Sequence, residues 1–383
     1  MDVKYLALSH CWGNGVPQYS TTTLYTLDTH LRGILAQNLT RNFEDICLLA
    51  RRLGVAYVWI DSLCIIQDSI EDWTKESALM GKIFSHSNCT IGAALPLQFS
   101  TTSAEKGDEV NTGFLASRSS KNAYNHCPLR KRGWTLQERE LSVRSVFYTE
   151  QQMIWECQSF QATEQSPVPR EHDNASFRLF PPPSAHPSLL SDKQVNFSKW
   201  YDMLERYTRR QLSYQTDKLP AISGLAGAFE ATTRITKYAA GLCEEDLLER
   251  LLWCVSPPNR YSYQKEGTGG KYQYPFWSWA SVNDPAVWLS KHHRWPLERH
   301  VEDGAVPAIH PHIKPSILEL ETIPFGSDPR GRISESSLRV EGILRKVSED
   351  KHLTWPSPRY LGFLSGLIFS QYISLERQVI VIV

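Results

Sequence analysis

This sequence has no excess of either charge: 41 basic residues balance 41 acidic ones. A chain without a net field does not recruit nucleic acid or an anionic membrane surface, so neither is an expected partner. No run approaches the roughly 20 apolar residues that a bilayer span requires, so no membrane span is expected. The opening residues, MDVKYLALSHCWG, lack the basic-then-apolar signature of a signal peptide. The eight cysteines (11, 47, 64, 89, 127, 157, 243 and 254) stand singly with no C-x-x-C. Neither a zinc knuckle nor a disulfide framework is indicated, and reduced thiols in a cytoplasmic protein are expected. GxGxxG, Walker, HExxH and GxSxG motifs are all missing. Their absence removes the commonest nucleotide, metal and esterase assignments, and no cofactor or metal is expected.

What is present is an ordinary globular composition, 41% hydrophobic and 21% charged over 383 residues, with 12 tryptophans. That length is enough for about two domains. Residues 1–160 alternate apolar strands with helices. VKYLAL (3–8) ends in the polar cluster Ser9-His10-Cys11-Trp12-Gly13. A helix follows over NFEDICLLARRLG, with Asn42 as its cap and Gly54 placed to end it. AYVWI (56–60) is a second strand. A helix opening on a Ser69/Asp72 capping box then runs to about His86, and CTIGAAL (89–95) is a third strand. This alternation predicts an α/β fold, Rossmann-like, with a covered parallel sheet and flanking helices. RSVFYT (144–149) and QMIWEC (152–157) add an antiparallel hairpin.

Residues 97–128 read as an exposed polar insertion, and 161–195, rich in Pro and Ser, as a linker. Residues 196–383 read as a mainly helical C-terminal region with terminal strands. Its expected features are an aromatic stripe from Phe197 to Tyr207, a helix opening at Pro220, and an amphipathic helix over EEDLLERLLWCV (244–255). An aromatic cluster lies at 274–282, and strands are expected at 338–347, 360–369 and the terminal RQVIVIV. The last of these suggests a strand cut by the chain end, so the product is expected to extend further.

In open α/β sheets ligands sit beyond the carboxyl ends of strands. Two strands deliver polar groups there: Ser9, His10 and Trp12 after the first, and Asp61, Cys64 and Gln67 after the second. Asp61 and Gln67 suit either ligand contact or satisfaction of loop amides. At ~100° per residue from Trp73, Glu76 falls near 300°, inside the apolar arc holding Met80 and Phe84. A carboxylate there is either an internal hydrogen-bonding residue or a catalytic acid group. In RKRGWTLQERE (130–140), Arg132 suits a phosphate or carboxylate, and Trp134 offers a face for a ring. The alternative for that segment is a solvated helix start with a buried Trp. His10 and Cys11 are strand neighbours that point to opposite faces, which disfavours a thiol–imidazole dyad.

Together, YLALSHCWG (5–13), YVWIDSLCIIQDSIEDWTKESALMGKIFSHS (57–87) and RGWTLQERELSVRSVFYT (132–149) resemble the signature blocks of the fungal heterokaryon incompatibility (HET) domain. DKLPAISGLA (217–226) and PFWSWASV (275–282) are similar to segments that often follow it. His10 stands where that family often has Tyr, and the sequence begins without the leader many members carry. The resemblance implies a cytosolic protein of self/non-self recognition and regulated cell death. Its partner would be an allelic or non-allelic incompatibility protein, with self-association on activation. The HET domain in turn resembles, distantly, the TIR domain, some of whose members cleave NAD with a Glu on a W-x-x-E helix. Trp73 and Glu76 match that pair. The implied site joins Glu76 as catalytic carboxylate with Ser9, His10, Trp12, Asp61, Cys64, Gln67, Trp73, Arg132, Trp134, Gln137 and Glu138 around a substrate, NAD being consumed rather than held.

Overall fold

The computed structural model describes residues 3–12, 20–93, 127–149, 152–171, 193–233, 235, 237–251, 253–255, 274–288, 316–342 and 378–382. The chain divides into two compact units, Met1–His186 and Pro187–Val383.

In the first unit the strands are β1 (Tyr5–His10), β2 (Tyr57–Ile60), β3 (Cys89–Ala93), β4 (Arg144–Tyr148), β5 (Met153–Cys157), β6 (Phe160–Thr163) and β7 (Ser166–Glu171). They form one seven-stranded sheet in the order β2-β1-β3-β4-β5-β6-β7. β2, β1, β3 and β4 run parallel, and β5, β6 and β7 continue the sheet antiparallel. The fold is the expected α/β type, but the antiparallel part is three strands deep rather than a single added hairpin. Residues 161–163 and 166–171, expected as linker, are therefore strand, joined by a turn. Pro167 and Pro169 fall in β7, at the sheet edge, where a residue without a backbone N–H is tolerated. The remainder of the expected linker, and the insertion expected over 97–128 up to residue 126, lie outside the described residues.

The helices are α1 (Leu27–Arg32), α2 (Arg41–Arg52), the single turn α3 (Asp61–Cys64), α4 (Ile70–His86) and α5 (Thr135–Leu141). Side-chain alternation on β1 sorts the core into two layers. Leu6 and Leu8 point to one face and pack with Phe43, Ile46 and Ala50 of α2. Ala7 points to the other and packs with Met80 and Phe84 of α4. Each layer removes large apolar side chains from water, at ~1.5–3 kcal/mol for a fully buried one. α2 starts at Thr40, not at the expected Asn42, and no side chain caps it. It ends where Gly54 adopts φ +67°. Val55 N–H then reaches back to the Ala50 carbonyl and Gly54 N–H to that of Arg51, which satisfies two end carbonyls. In α4 the Ser69 hydroxyl accepts from Asp72 N–H at 3.2 Å, as the capping box predicts. The Asp72 carboxylate, however, turns to Ile66 N–H at 2.8 Å. Gly92 on β3 faces Phe147 on β4, where an added Cβ would sit 2.3 Å from the ring, so only glycine lets these strands pair.

The second unit contains α6 (Lys193–Thr208), α7 (Pro220–Thr233), the single turn α8 (Leu247–Arg250) and strands β8 (Tyr238–Ala239) to β14 (Gln378–Ile382). The predicted stripe is its core: Trp200 and Tyr201 are fully buried, and Trp200 stacks on Phe229 at 4.9 Å. Trp277 and Trp279, from the aromatic cluster, are buried as well. Residues 244–255 are not one helix. A 3-10 turn, α8 and strand β10 (Trp253–Val255) divide them, and β10 pairs with β11 (Ala286–Trp288). The partner strand lies over thirty residues away, which a local helical period cannot anticipate. Strands β12 (Ser316–Pro324), β13 (Ile333–Gly342) and β14 form an antiparallel sheet. The strand expected at 360–369 lies outside the described residues.

Candidate functional site

β1 extends through His10, so Ser9 and His10 are strand residues, and Trp12 follows its end. Because neighbours on a strand face opposite ways, His10 packs edge-on against Phe43 of α2, ring centroids 5.3 Å apart. Cys11 packs instead with Cys127, Leu129, Phe147 and Ile154. No His–Cys dyad is built here.

At the adjacent strand end, Asp61 gathers the first set of contacts. Its Oδ2 accepts from Trp12 Nε1 at 3.0 Å, and its Oδ1 accepts from Ser62 N–H at 2.8 Å. His10 Nδ1 stands 3.7 Å from the same Oδ1 and has no hydrogen-bond partner among the described residues. The ring is 6% exposed. Burial holds its pKa below the ordinary histidine value, with Asp61 opposing and Arg132 adding to the shift. Imidazole is therefore neutral near pH 7, beside a carboxylate it does not quite reach.

Arg132 closes the constellation from the third direction. Its guanidinium donates to the His10 carbonyl and also bonds the Cys11 thiol. Burial raises the Cys11 pKa, the arginine opposes that, and Glu138 adds to the rise. The cation expected to meet a phosphate thus also braces the end of β1. Gln67 is committed likewise: its amide donates to the Asp61 carbonyl at 3.1 Å and the Ile65 carbonyl at 2.9 Å. Of its two open readings, loop satisfaction describes these bonds.

Glu76 lies on α4 with its side chain 20% exposed, neither buried nor in bulk water. The Lys75 ammonium is 3.2 Å from its Oε1, but that lysine is 71% exposed, so the pair is loosely held. Desolvation leads in raising the pKa of the Cys64 thiol, a backbone hydrogen bond from Ile60 opposes it, and the Asp61 and Glu76 carboxylates add to the rise. One turn before Glu76, Trp73 meets Trp134 edge to face with centroids 6.3 Å apart. Trp134 also packs on the Ala7, Met80 and Phe84 layer.

Gln137 and Glu138 sit on α5, and every residue of that helix is buried. The solvated helix start considered for this segment is not what forms: α5 packs against α4, and its Arg139 reaches Glu156 of β5. Ser9, on β1, is 3% exposed. The structure thus leaves Trp12, Asp61, Trp73, Glu76, Arg132 and Trp134 partly accessible and encloses Ser9, His10, Gln137 and Glu138 behind them.

One pair escaped sequence reasoning. Arg139 on α5 and Glu156 on β5 form a two-point ion pair, at 2.8 and 2.6 Å, with side chains 8% and 1% exposed. Glu156 shares a face with the fully buried Ile154, and a carboxylate on the inward face of an apolar strand was the available signal. Among the described residues no group of three His, Cys, Asp or Glu is arranged to hold a metal. No helix among them is long and apolar enough to cross a membrane.

Residues 5–138 match the family described as Heterokaryon incompatibility protein (HET). The match takes in β1 to β3 and α1 to α4, and it ends within α5 at Glu138. No curated protein and no solved structure matches. Residues 5–138 of this chain are thus similar to the heterokaryon incompatibility domain that the signature blocks resemble.

Proposed function

We propose that this protein acts in the cytoplasm in fungal self/non-self recognition, its HET domain triggering regulated cell death when an allelic or non-allelic incompatibility partner engages it. Self-association accompanies that activation. The family match over residues 5–138, which encloses every candidate site residue, carries this reading. The test is expression of the full chain in a filamentous host alone and with candidate partner alleles. Death confined to particular combinations is the expected result. Growth indifferent to every combination would overturn it.

A second reading, that the domain cleaves NAD, is favoured by the setting of Glu76. A partly shielded carboxylate one turn after Trp73, which meets Trp134 edge to face, suits the charge that develops when a glycosidic bond breaks. Nicotinamide would depart with the bonding electrons as a neutral base, leaving an oxocarbenium-like ribosyl cation. The Glu76 carboxylate would stabilise that cation while water adds to the anomeric carbon and loses a proton, giving ADP-ribose. Trp12 or Trp134 would stack on a ring and Arg132 would approach the pyrophosphate. Purified full chain incubated with NAD should release nicotinamide, and Glu76→Gln should lower the rate by at least about a hundredfold, consistent with loss of a charge-stabilising group. Equal turnover in a folded Glu76→Gln protein ends this reading without touching the first.

A further inference from the structure

The cysteines among the described residues are free thiols, and two of them share one apolar cluster beside the candidate site. Cys127 is 3% exposed and packs with Leu129, Phe147 and Ile154. Cys11 is partly exposed and packs against that same small cluster. The segments that carry the two thiols are already joined through Arg132. Its guanidinium donates to the His10 carbonyl and bonds the Cys11 sulfur. Its backbone N–H donates to the Leu129 carbonyl at 3.1 Å, two residues after Cys127. Two sulfurs in so small a cluster need only side-chain rotation and modest backbone shifts to meet, since a bridge accepts Cα separations of roughly 4.4–6.8 Å.

The surroundings of the two thiols differ in a way that suits two successive steps. Cys11 is the one that solvent reaches. Burial leads in raising its pKa, the Arg132 guanidinium opposes that, and Glu138 adds to the rise. The thiolate is therefore a minor species near pH 7, and the arginine beside the sulfur favours such of it as forms. Cys127 is nearly sealed, so an oxidant in solution has poor access to it. Burial raises its pKa too, while the backbone N–H groups of Leu129 and Arg130, bonded to its sulfur, oppose the rise. Such a thiol is better placed to attack a neighbouring sulfur than to meet the oxidant itself.

We infer that Cys11 and Cys127 form a peroxide-sensitive dithiol, which hydrogen peroxide converts into an intrachain disulfide. The Cys11 thiolate attacks one peroxide oxygen, the O–O bond breaks, and the departing hydroxide takes up a proton, leaving a sulfenic acid and water. The Cys127 sulfur then attacks the Cys11 sulfur. The S–O bond breaks, and the second hydroxide leaves with the Cys127 proton as water. Two thiols are oxidised and one peroxide is reduced to two waters. The bridge makes covalent the junction that Arg132 holds by hydrogen bonds, and so fixes the carboxyl end of β1 to the segment leading into that arginine. In a reducing compartment such a bridge is transient, the behaviour of a sensor and not of a structural staple. It stands on this cluster alone and depends on neither activity proposed for the domain.

The experiment treats the reduced full chain with a graded excess of hydrogen peroxide, alkylates the remaining thiols, and maps the peptides by mass spectrometry. The expected product is a linked pair of peptides containing Cys11 and Cys127, separated again by dithiothreitol. Cys127→Ala should stop the reaction at Cys11, whose sulfenic acid dimedone then traps. Cys11→Ala should leave Cys127 unoxidised at doses that bridge the parent chain. Circular dichroism establishes that each variant is folded, and the measurement on the parent chain needs no variant at all. Absence of the Cys11–Cys127 peptide pair at every dose overturns the inference. So does a bridge from Cys11 to Cys64 or between two chains in its place, or a folded Cys127→Ala chain that yields no dimedone adduct at Cys11.

Discussion

The indole N–H of Trp12 donates to the Asp61 carboxylate at 3.0 Å and ties the end of β1 to the end of β2 across 49 residues. Asp61 uses its other oxygen for Ser62 N–H. An asparagine has only one acceptor atom, so it must turn its amide N–H₂ toward one of these donors. Asp61→Asn should therefore cost about 1–3 kcal/mol, the usual penalty for a charge-assisted bond replaced by an unsatisfied donor. Trp12→Phe removes one bond and should cost less. In a urea-unfolding double-mutant cycle the two should be non-additive, and strict additivity would mean that the contact contributes nothing.

The same carboxylate faces His10 and gives the domain a pH dependence whose sign can be worked out. His10 is buried among Phe43, the Asp61 carboxylate and the Arg132 guanidinium, and burial leads in lowering its pKa from 6.5. The unfolded chain then binds a proton that the folded one refuses, in the interval between the depressed folded pKa and about 6.5. Stability rises with pH across that interval, so this contribution is complete above 6.5 and is lost as pH falls through the folded value. His10→Phe keeps a ring against Phe43 and removes the titration. Urea midpoints measured between pH 7.5 and 5 should fall less steeply in that variant than in the parent. Parallel slopes would show that His10 is not the group responsible.

How far the sequence discloses this molecule depends on the range of the forces involved. β1, β2, α2 and α4 are legible because their apolar spacing, Gly54 and the Ser69 cap act within a few residues. β6 and β7 are not, because Pro167, Pro169 and their polar neighbours look like linker, and only the antiparallel partner β5 makes strands of them. In the site, the cluster at the ends of β1 and β2 follows from fold logic. That Gln67 staples its own loop, and that Arg132 braces the His10 carbonyl, depends on tertiary contacts no local pattern contains. The clearest case is Arg139 with Glu156, two charges on separate elements that become intelligible only when α5 is laid on the sheet.

That pair holds α5, and with it Trp134, against β5. Its oxygens and nitrogens are nearly sealed from water, so the desolvation cost is met only while both partners are present. Arg139→Met leaves the Glu156 carboxylate buried without its two-point partner and should cost about 3–5 kcal/mol. Glu156→Leu takes the carboxylate from a guanidinium that also lies over the Phe147 ring, 5.7 Å from its centroid, and should cost a similar amount, about 3–5 kcal/mol. The double variant replaces two opposed charges by two apolar side chains and should recover most of that loss. Denaturant unfolding of the three variants separates the outcomes. If the double variant is as unstable as the sum of the singles, the pair is not acting as a unit, and α5 is held by its apolar contacts alone.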